Sequence, residues 1–150
     1  HVSRRPPVRL STFAAVLAIT GITLVGCGRQ VDVPPPDAEE DICASVVLPA
    51  VVAGAGSRPT TQPETAAWGE PPITYRCGVA RPQALTATSR LIDVGEIGWL
   101  PLEASGGTGF VAVTWPSSAA PVYVEVLVPE DYAAPADVLI DVSAALATTG

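Results

Sequence analysis

A run of seventeen uncharged residues, 10–26, follows a short segment that carries three arginines. A helix of this length measures about 25 Å, which is less than the roughly 30 Å of hydrocarbon that a membrane span must cross. Serine, threonine and glycine residues also dilute its hydrophobicity. A basic segment followed by a short apolar run is typical of an export leader. We therefore interpret residues 1–26 as a signal peptide, with a retained membrane helix as the alternative, and expect the folded domain to come from the rest of the chain.

The uncharged run ends at Leu24-Val25-Gly26-Cys27, which resembles the lipobox of bacterial lipoproteins. The resemblance implies cleavage between Gly26 and Cys27 and lipidation of the Cys27 sulfur. Small side chains admit the signal peptidase, and a thiolate is nucleophilic enough to accept a diacylglyceryl group. Two or three acyl chains, at about 0.8 kcal/mol per buried methylene, hold a protein durably on a membrane. We expect a lipid anchor on the extracytoplasmic face of the cell membrane; the alternative is a cysteine that follows an ordinary signal by chance.

The basic segment itself bears on the export route. Residues 3–9 resemble the twin-arginine export motif, but Pro7 stands where that motif has an aromatic residue. Adjacent arginines also occur in the leaders of the general secretory route. The sequence favours the general route and leaves both open.

Residues 27–41 are acidic and rich in proline, with three consecutive prolines and five acids. Segments of this kind are extended and stiff, so we expect a tether that lifts the domain off the membrane. The acids lack the spacing of a calcium-binding loop. Residues 27–150 hold five arginines against fifteen acids, a net charge of −10. Anionic headgroups should repel such a chain, so the lipid and not a basic patch should attach it.

Two cysteines, Cys43 and Cys77, remain once Cys27 is acylated. An even pair in an exported chain is a candidate disulfide. A redox or catalytic thiol is the weaker interpretation, because the two residues are not a Cys-x-x-Cys pair and residues 27–150 contain no histidine to activate either. We predict a structural disulfide that stabilises the domain by about 3 to 4 kcal/mol.

The first half of the predicted domain, 42–150, contains few regular elements. The acids at positions 37–40 have the spacing of a helix start and predict a short helix over 38–48. The stretch 54–72 is rich in glycine, proline and threonine, and it predicts a long loop.

The second half predicts most of the secondary structure. Period-two alternation and apolar runs indicate strands at 73–79, 91–94, 97–103, 110–115 and 122–128. Pro135 is a good first residue for a final helix that buries its leucines and valines and directs Asp137, Asp141 and Ser143 to solvent. Cys77 on an inward strand face can then meet Cys43 on the first helix. We expect a two-layer α+β domain with a mainly antiparallel sheet of four to five strands and two flanking helices.

Several short motifs in this domain occur in a characteristic order. They are Cys43 before Leu48-Pro49, Ala67-Trp68-Gly69, Arg76-Cys77-Gly78-Val79 with Pro82, then Ser89 and Trp99. Over residues 42–147 the chain resembles the actinobacterial domain-of-unknown-function 3515 family of exported envelope proteins. The absence of lysine suits an actinobacterium with GC-rich DNA. The resemblance implies a role in the cell envelope and brings no activity with it.

The composition excludes several kinds of chemistry. The net charge of −7 gives no electrostatic basis for binding nucleic acid. The only histidine is at position 1, so a serine triad and a His/Cys zinc site have no imidazole in residues 27–150. We expect no metal and no cofactor.

Two functional hypotheses remain. In the favoured one the protein is not an enzyme but binds an envelope protein or a cell-wall component, with Trp68 on the long loop and the arginines Arg76 and Arg81 as possible ligand contacts. In the alternative, a carboxylate pair such as Asp93 with Glu96 or Glu103 serves a small hydrolase or transferase that acts on cell-wall glycan.

Overall fold

The computed structural model describes residues 3, 7 and 29–149, and these form one eight-stranded antiparallel sheet with two short helices. In chain order the elements are α1 (Asp41–Ala44), β1 (Val51–Val52), β2 (Ala55–Arg58), β3 (Thr65–Trp68), β4 (Ile73–Val79), β5 (Ile92–Val94), β6 (Ile97–Ala104), β7 (Gly107–Ala112), β8 (Tyr123–Pro129), a 3₁₀ turn (Pro135–Asp137) and α2 (Val138–Ala147). The strands lie in the order β1-β2-β3-β4-β8-β7-β6-β5. Within the described residues, no helix has both the length and the apolar character of a membrane span.

The sheet is larger than the four to five strands predicted. The five predicted strands exist as β4 to β8, although β7 begins three residues earlier than expected. The additional strands β1, β2 and β3 lie largely in the stretch 54–72 that was predicted to be a loop. These strands have two to four residues each, too few to show a period. Their hairpins depend on positive φ angles at Ala53, Gly54 and Glu64, and tertiary pairing holds them in place.

The first helix is shorter than the predicted 38–48, because α1 has only four residues. The Asp37 carboxylate does not cap it; instead it accepts a hydrogen bond of 2.8 Å from the Ala80 amide. The Ala38 amide donates to the Gly78 carbonyl at 3.0 Å. These bonds to the end of β4 hold residues 37 and 38 outside the helix.

The main core lies on the face of the sheet that packs against α1 and α2, which we call the inner face. Strand β4 alternates as predicted from Ile73 to Cys77, with Ile73, Tyr75 and Cys77 buried on this face. Val79 was predicted on the same face and lies instead on the opposite one, because the register of β4 shifts between Cys77 and Val79. The predicted disulfide is present: Cys43 of α1 is bonded to Cys77 of β4, with a Cα–Cα distance of 5.7 Å. It ties the short helix to the centre of the sheet.

Helix α2 packs on the inner face and contacts β1 and β5, the strands at the two ends of the sheet order. Its apolar residues are buried as expected: Val138, Leu139, Val142 and Leu146. Ser143 was predicted to face solvent and is instead buried, because its hydroxyl accepts a 2.9 Å hydrogen bond from Trp99 Nε1. Trp115 Nε1 donates to the carbonyl of Leu146 at 2.8 Å. Trp99 of β6 and Trp115, which follows β7, therefore attach this helix to the sheet by hydrogen bonds.

The opposite, outer face has smaller clusters. Val79, Leu100, Val111 and Val113 form one of them, beneath the loop that carries Leu85 and Leu91. Residues 29–38, which we call the strap, lie along the outer face next to β2, β3 and β4. Val31 and Val33 of the strap are buried with Ala67 of β3 in another cluster.

The strap belongs to the stretch 27–41 that the sequence predicts to be a tether. It is extended, as its prolines require, but it is hydrogen-bonded to the domain along its length. Val31 and Val33 explain this docking, because their burial against the sheet is favourable. The division of the chain into a leader (1–26), a tether and a domain stays a prediction, because residues 8–28 lie outside the described residues.

Candidate functional site

Trp68 is not an exposed ligand contact. It lies on the inner face of β3 with 1% of its surface exposed, and its Nε1 donates to the carbonyl of Pro49 at 2.9 Å. Its ring meets that of Tyr75 edge to face, with 6.4 Å between centroids. The prediction was wrong because it placed Trp68 on a loop, whereas β3 directs the ring into the core.

The two arginines are on the outer side of the sheet and are engaged by the protein itself. Arg76 forms an ion pair with Glu125 of β8, with nitrogen–oxygen distances of 2.9 Å and 2.8 Å, and donates to the carbonyl of Pro35 at 3.3 Å. Arg81 donates to the hydroxyl of Tyr123 at 3.3 Å and to the carbonyl of Leu85. Since Trp68 faces the other side, the structure does not bring these three residues together.

The three candidate carboxylates are exposed and spread along β5 and β6. Asp93 and Glu96 flank the turn between these strands, whereas Glu103 is near the opposite end of β6. At about 3.3 Å per residue, Glu103 is roughly 23 Å from Glu96 along the strand, and glycosidase pairs need about 5 to 10 Å. Glu103 therefore cannot pair with either of the others.

A cleft of about 520 Å³ lies between the end of the strap, α1 and the turn before β3. Five carboxylates line it: Asp37, Glu39, Glu40, Asp41 and Glu64. Prolines, alanines and Gln62 form the rest of its wall. An arrangement of this kind favours a cationic occupant over an anionic one. This cleft was not predicted from the sequence, because the acids were assigned to a solvated tether and the turn at Glu64 to a loop.

Tyr75 is buried beside this region. Its hydroxyl has no hydrogen-bond partner among the described residues. Burial raises the pKa of the Tyr75 hydroxyl far above its ordinary value, and the negative charge of Glu64 raises it further. The side chain is therefore neutral at physiological pH and cannot serve as a base there.

The structure is silent on the anchor residues, because Gly26 and Cys27 lie outside the described part of the chain. Residues 29–149 contain no group of three or more histidine, cysteine and acidic side chains arranged to hold a metal ion.

The fold and the bonded cysteines define a small, disulfide-braced, mainly antiparallel domain. The family model described as "Protein of unknown function (DUF3515)" matches residues 10–149, and the chain belongs to this family. The matched span includes the uncharged run and Cys27 as well as the domain. Searches of curated proteins and of solved structures gave no match.

Proposed function

We propose that this chain is a cell-envelope lipoprotein of an actinobacterium, anchored on the extracytoplasmic face of the cell membrane. The leader 1–26 is removed, Cys27 is acylated, and the domain is displayed outside the cell. The lipobox-like residues at the end of the uncharged run support this proposal. The lysine-free composition is consistent with the source.

The disulfide is the structural observation that supports export. Cys43 and Cys77 are 5% and 0% exposed, so the bond is part of the core. Disulfides form and persist in oxidising compartments outside the cytoplasm. A domain braced in this way suits the outer side of the membrane.

We propose that the displayed domain is a binding module without catalytic activity, whose partner is an envelope protein or a cell-wall component. The acidic cleft supports this proposal, because its volume and five carboxylates suit a cationic side chain or amine group of such a partner. The alternative of a hydrolase or transferase on cell-wall glycan keeps only the pair of Asp93 and Glu96, because Glu103 lies far from both, and these two side chains are exposed beside a turn.

Replacement of the anchor cysteine tests the proposed lipid anchor. Mature protein from its own envelope should begin at Cys27 and carry a diacylglyceryl group on that residue. The Cys27→Ala variant should accumulate as an unprocessed precursor without acyl label, because the acceptor sulfur is gone. The change Val47→Ala, at an exposed residue of the domain, should leave processing and labelling intact. Native material that begins elsewhere or carries no fatty chain would rule out the lipoprotein.

Two matched triple variants test the cleft. Glu39→Gln, Glu40→Gln and Glu64→Gln together remove three negative charges from the cleft, and Asp93→Asn, Glu96→Gln and Glu103→Gln remove three from the β5 and β6 region. Cross-linked complexes should be isolated from the envelope for each variant. The first triple should lose the partner that the native chain retains, and the second should keep it. Loss of a glycan-cleaving activity with the second triple only would favour the enzyme instead.

A further inference from the structure

The strap is fixed to the outer face at both of its ends. Near its start the Val31 amide donates to the Pro59 carbonyl at 2.8 Å, and the Val31 carbonyl accepts from the Thr61 amide at 3.2 Å. At its far end the Ala38 amide bonds to Gly78. Between them Val33 is 1% exposed. The strap therefore does not act as a free spacer.

Strand β4 is shaped for the passage of the strap. Gly78 has a φ of +96°, a region that side chains disfavour, and a Cβ atom on it would collide with the Ala38 carbonyl oxygen. The Arg76 guanidinium also reaches across to the carbonyl of Pro35. These features hold the crossing in one position.

The chain leaves the domain at a defined corner. The Arg29 carbonyl accepts a hydrogen bond of 3.4 Å from Arg58, whose guanidinium also donates at 2.8 Å to the Gly69 carbonyl and to the Glu70 carboxylate. Consecutive Cα atoms are about 3.8 Å apart, so the Cα of Cys27 is within about 7.6 Å of that of Arg29 in any conformation. Arg29 itself lies beside the turn between β3 and β4, and only two peptide steps separate it from the anchor cysteine.

The net charge of this corner differs in sign from that of residues 27–150 as a whole. Residues 27–150 carry −10, whereas the corner has two arginines, Arg29 and Arg58, beside one glutamate, Glu70. A local positive balance is attracted to anionic headgroups within a Debye length of about 8 Å. The acidic cleft lies at the other end of the strap.

We propose that the strap orients the domain on the membrane, with the corner of Arg29, Arg58 and Glu70 against the lipid headgroups and the acidic cleft directed away from them. This inference rests on the proposed acylation of Cys27. The surface that contacts the corner is the bilayer into which the acyl chains of Cys27 insert. The cleft is thereby presented to partners on the wall side.

Photo-crosslinking to lipid tests the orientation. A photoreactive residue replaces either Glu70 or Gln83 in the full acylated chain, in vesicles of phosphatidylethanolamine and phosphatidylglycerol. Both positions are exposed and lie beyond opposite ends of β4, whose seven residues span about 20 Å. Position 70 should give lipid adducts several-fold more often than position 83. Equal adducts from vesicle-bound protein would overturn the orientation.

A lengthened linker provides the control without touching the domain. About ten glycine and serine residues inserted between Gly28 and Arg29 add a root-mean-square reach of roughly 18 Å. The preference for position 70 should then disappear. A preference unchanged by the insertion would show that the strap does not set the orientation. Protein that fails to float with the vesicles would instead refute acylation, and both proposals with it.

Discussion

Tyr75 places one polar atom, its hydroxyl oxygen, in the apolar core. Its ring contributes to the core beside Trp68, but its hydroxyl is buried without an acceptor in the described part of the chain. An unsatisfied buried donor costs about 1 to 3 kcal/mol. The nearby negative charge of Glu64 further disfavours ionisation. The hydroxyl is therefore a local weakness of the fold whose effect depends on pH.

The variant Tyr75→Phe should be at least as stable as the native domain at pH 7. Burial raises the pKa of the Tyr75 hydroxyl in the folded state, whereas in the unfolded chain it titrates near its ordinary value of about 10. Above that pH the unfolded chain binds fewer protons than the folded one, so native stability falls as pH rises, by up to about 1.4 kcal/mol per pH unit.

Urea denaturation between pH 7 and 11 measures this effect. The fall above pH 10 should be shallower in Tyr75→Phe than in the native domain, while Tyr123→Phe, at a partly exposed tyrosine, should keep the native slope. Parallel curves for the native domain and Tyr75→Phe would contradict the prediction.

Helix α2 is attached to the sheet by tryptophan side chains as well as by its apolar stripe. The bond from Trp99 Nε1 to Ser143 Oγ is buried, and that from Trp115 Nε1 closes on the last turn of the helix. A serine inside a helix is unfavourable by propensity alone. Its position is explained by the indole donor that it satisfies.

Replacement of Ser143 by alanine should therefore destabilise the domain by about 1 to 3 kcal/mol, because the Trp99 indole loses its acceptor in the core. Thermal or urea unfolding measures the change. Ala144→Ser, at the exposed neighbouring position, should stay within about 0.5 kcal/mol of the native domain. Equal stabilities of the two variants would show that the buried bond contributes nothing.

At the level of elements, the strands with a clear pattern were predicted and those without one were not. Strand β4 alternates from Ile73 to Cys77, so the inward face of that part could be predicted from the sequence, whereas the register shift before Val79 could not. Strand β2 reads Ala-Gly-Ser-Arg, which has no apolar period. It forms because Ser57 and Arg58 pair with Trp68 and Ala67 of β3. The acidic cleft was missed for the same reason, since it depends on segments that meet only after folding.

The disulfide acts on the whole molecule, because it restricts the unfolded chain as well as joining α1 to β4. Its cysteines are 34 residues apart, which in the chain-entropy model corresponds to about 3 to 4 kcal/mol. A small domain has a net stability of about 5 to 15 kcal/mol, so this bond supplies a large share.

The double variant Cys43→Ala, Cys77→Ala should lose about 3 to 4 kcal/mol of unfolding free energy relative to the oxidised chain. Chemical denaturation measures the loss, and native chain refolded under reductant should behave like the variant. Free thiols at both positions in material from the envelope, found by non-reducing mass mapping, would show that the bond does not form in the native protein.

Local patterns were sufficient for part of this protein. The charge-free run before Cys27 marked the predicted leader, the alternation of β4 and the apolar stripe of α2 marked buried faces, and the cysteine count marked the disulfide. Each of these signals is carried by residues close together in the chain or by their number.

Tertiary structure alone decided the docking of the strap, the three strands β1 to β3, the burial of Trp68 and the shape of the acidic cleft. Each depends on hydrogen bonds or apolar contacts between segments distant in sequence, such as Val31 with Pro59 and Ala38 with Gly78. A short segment with weak preferences takes the conformation that its partners stabilise, and those partners are known only when the whole chain is folded.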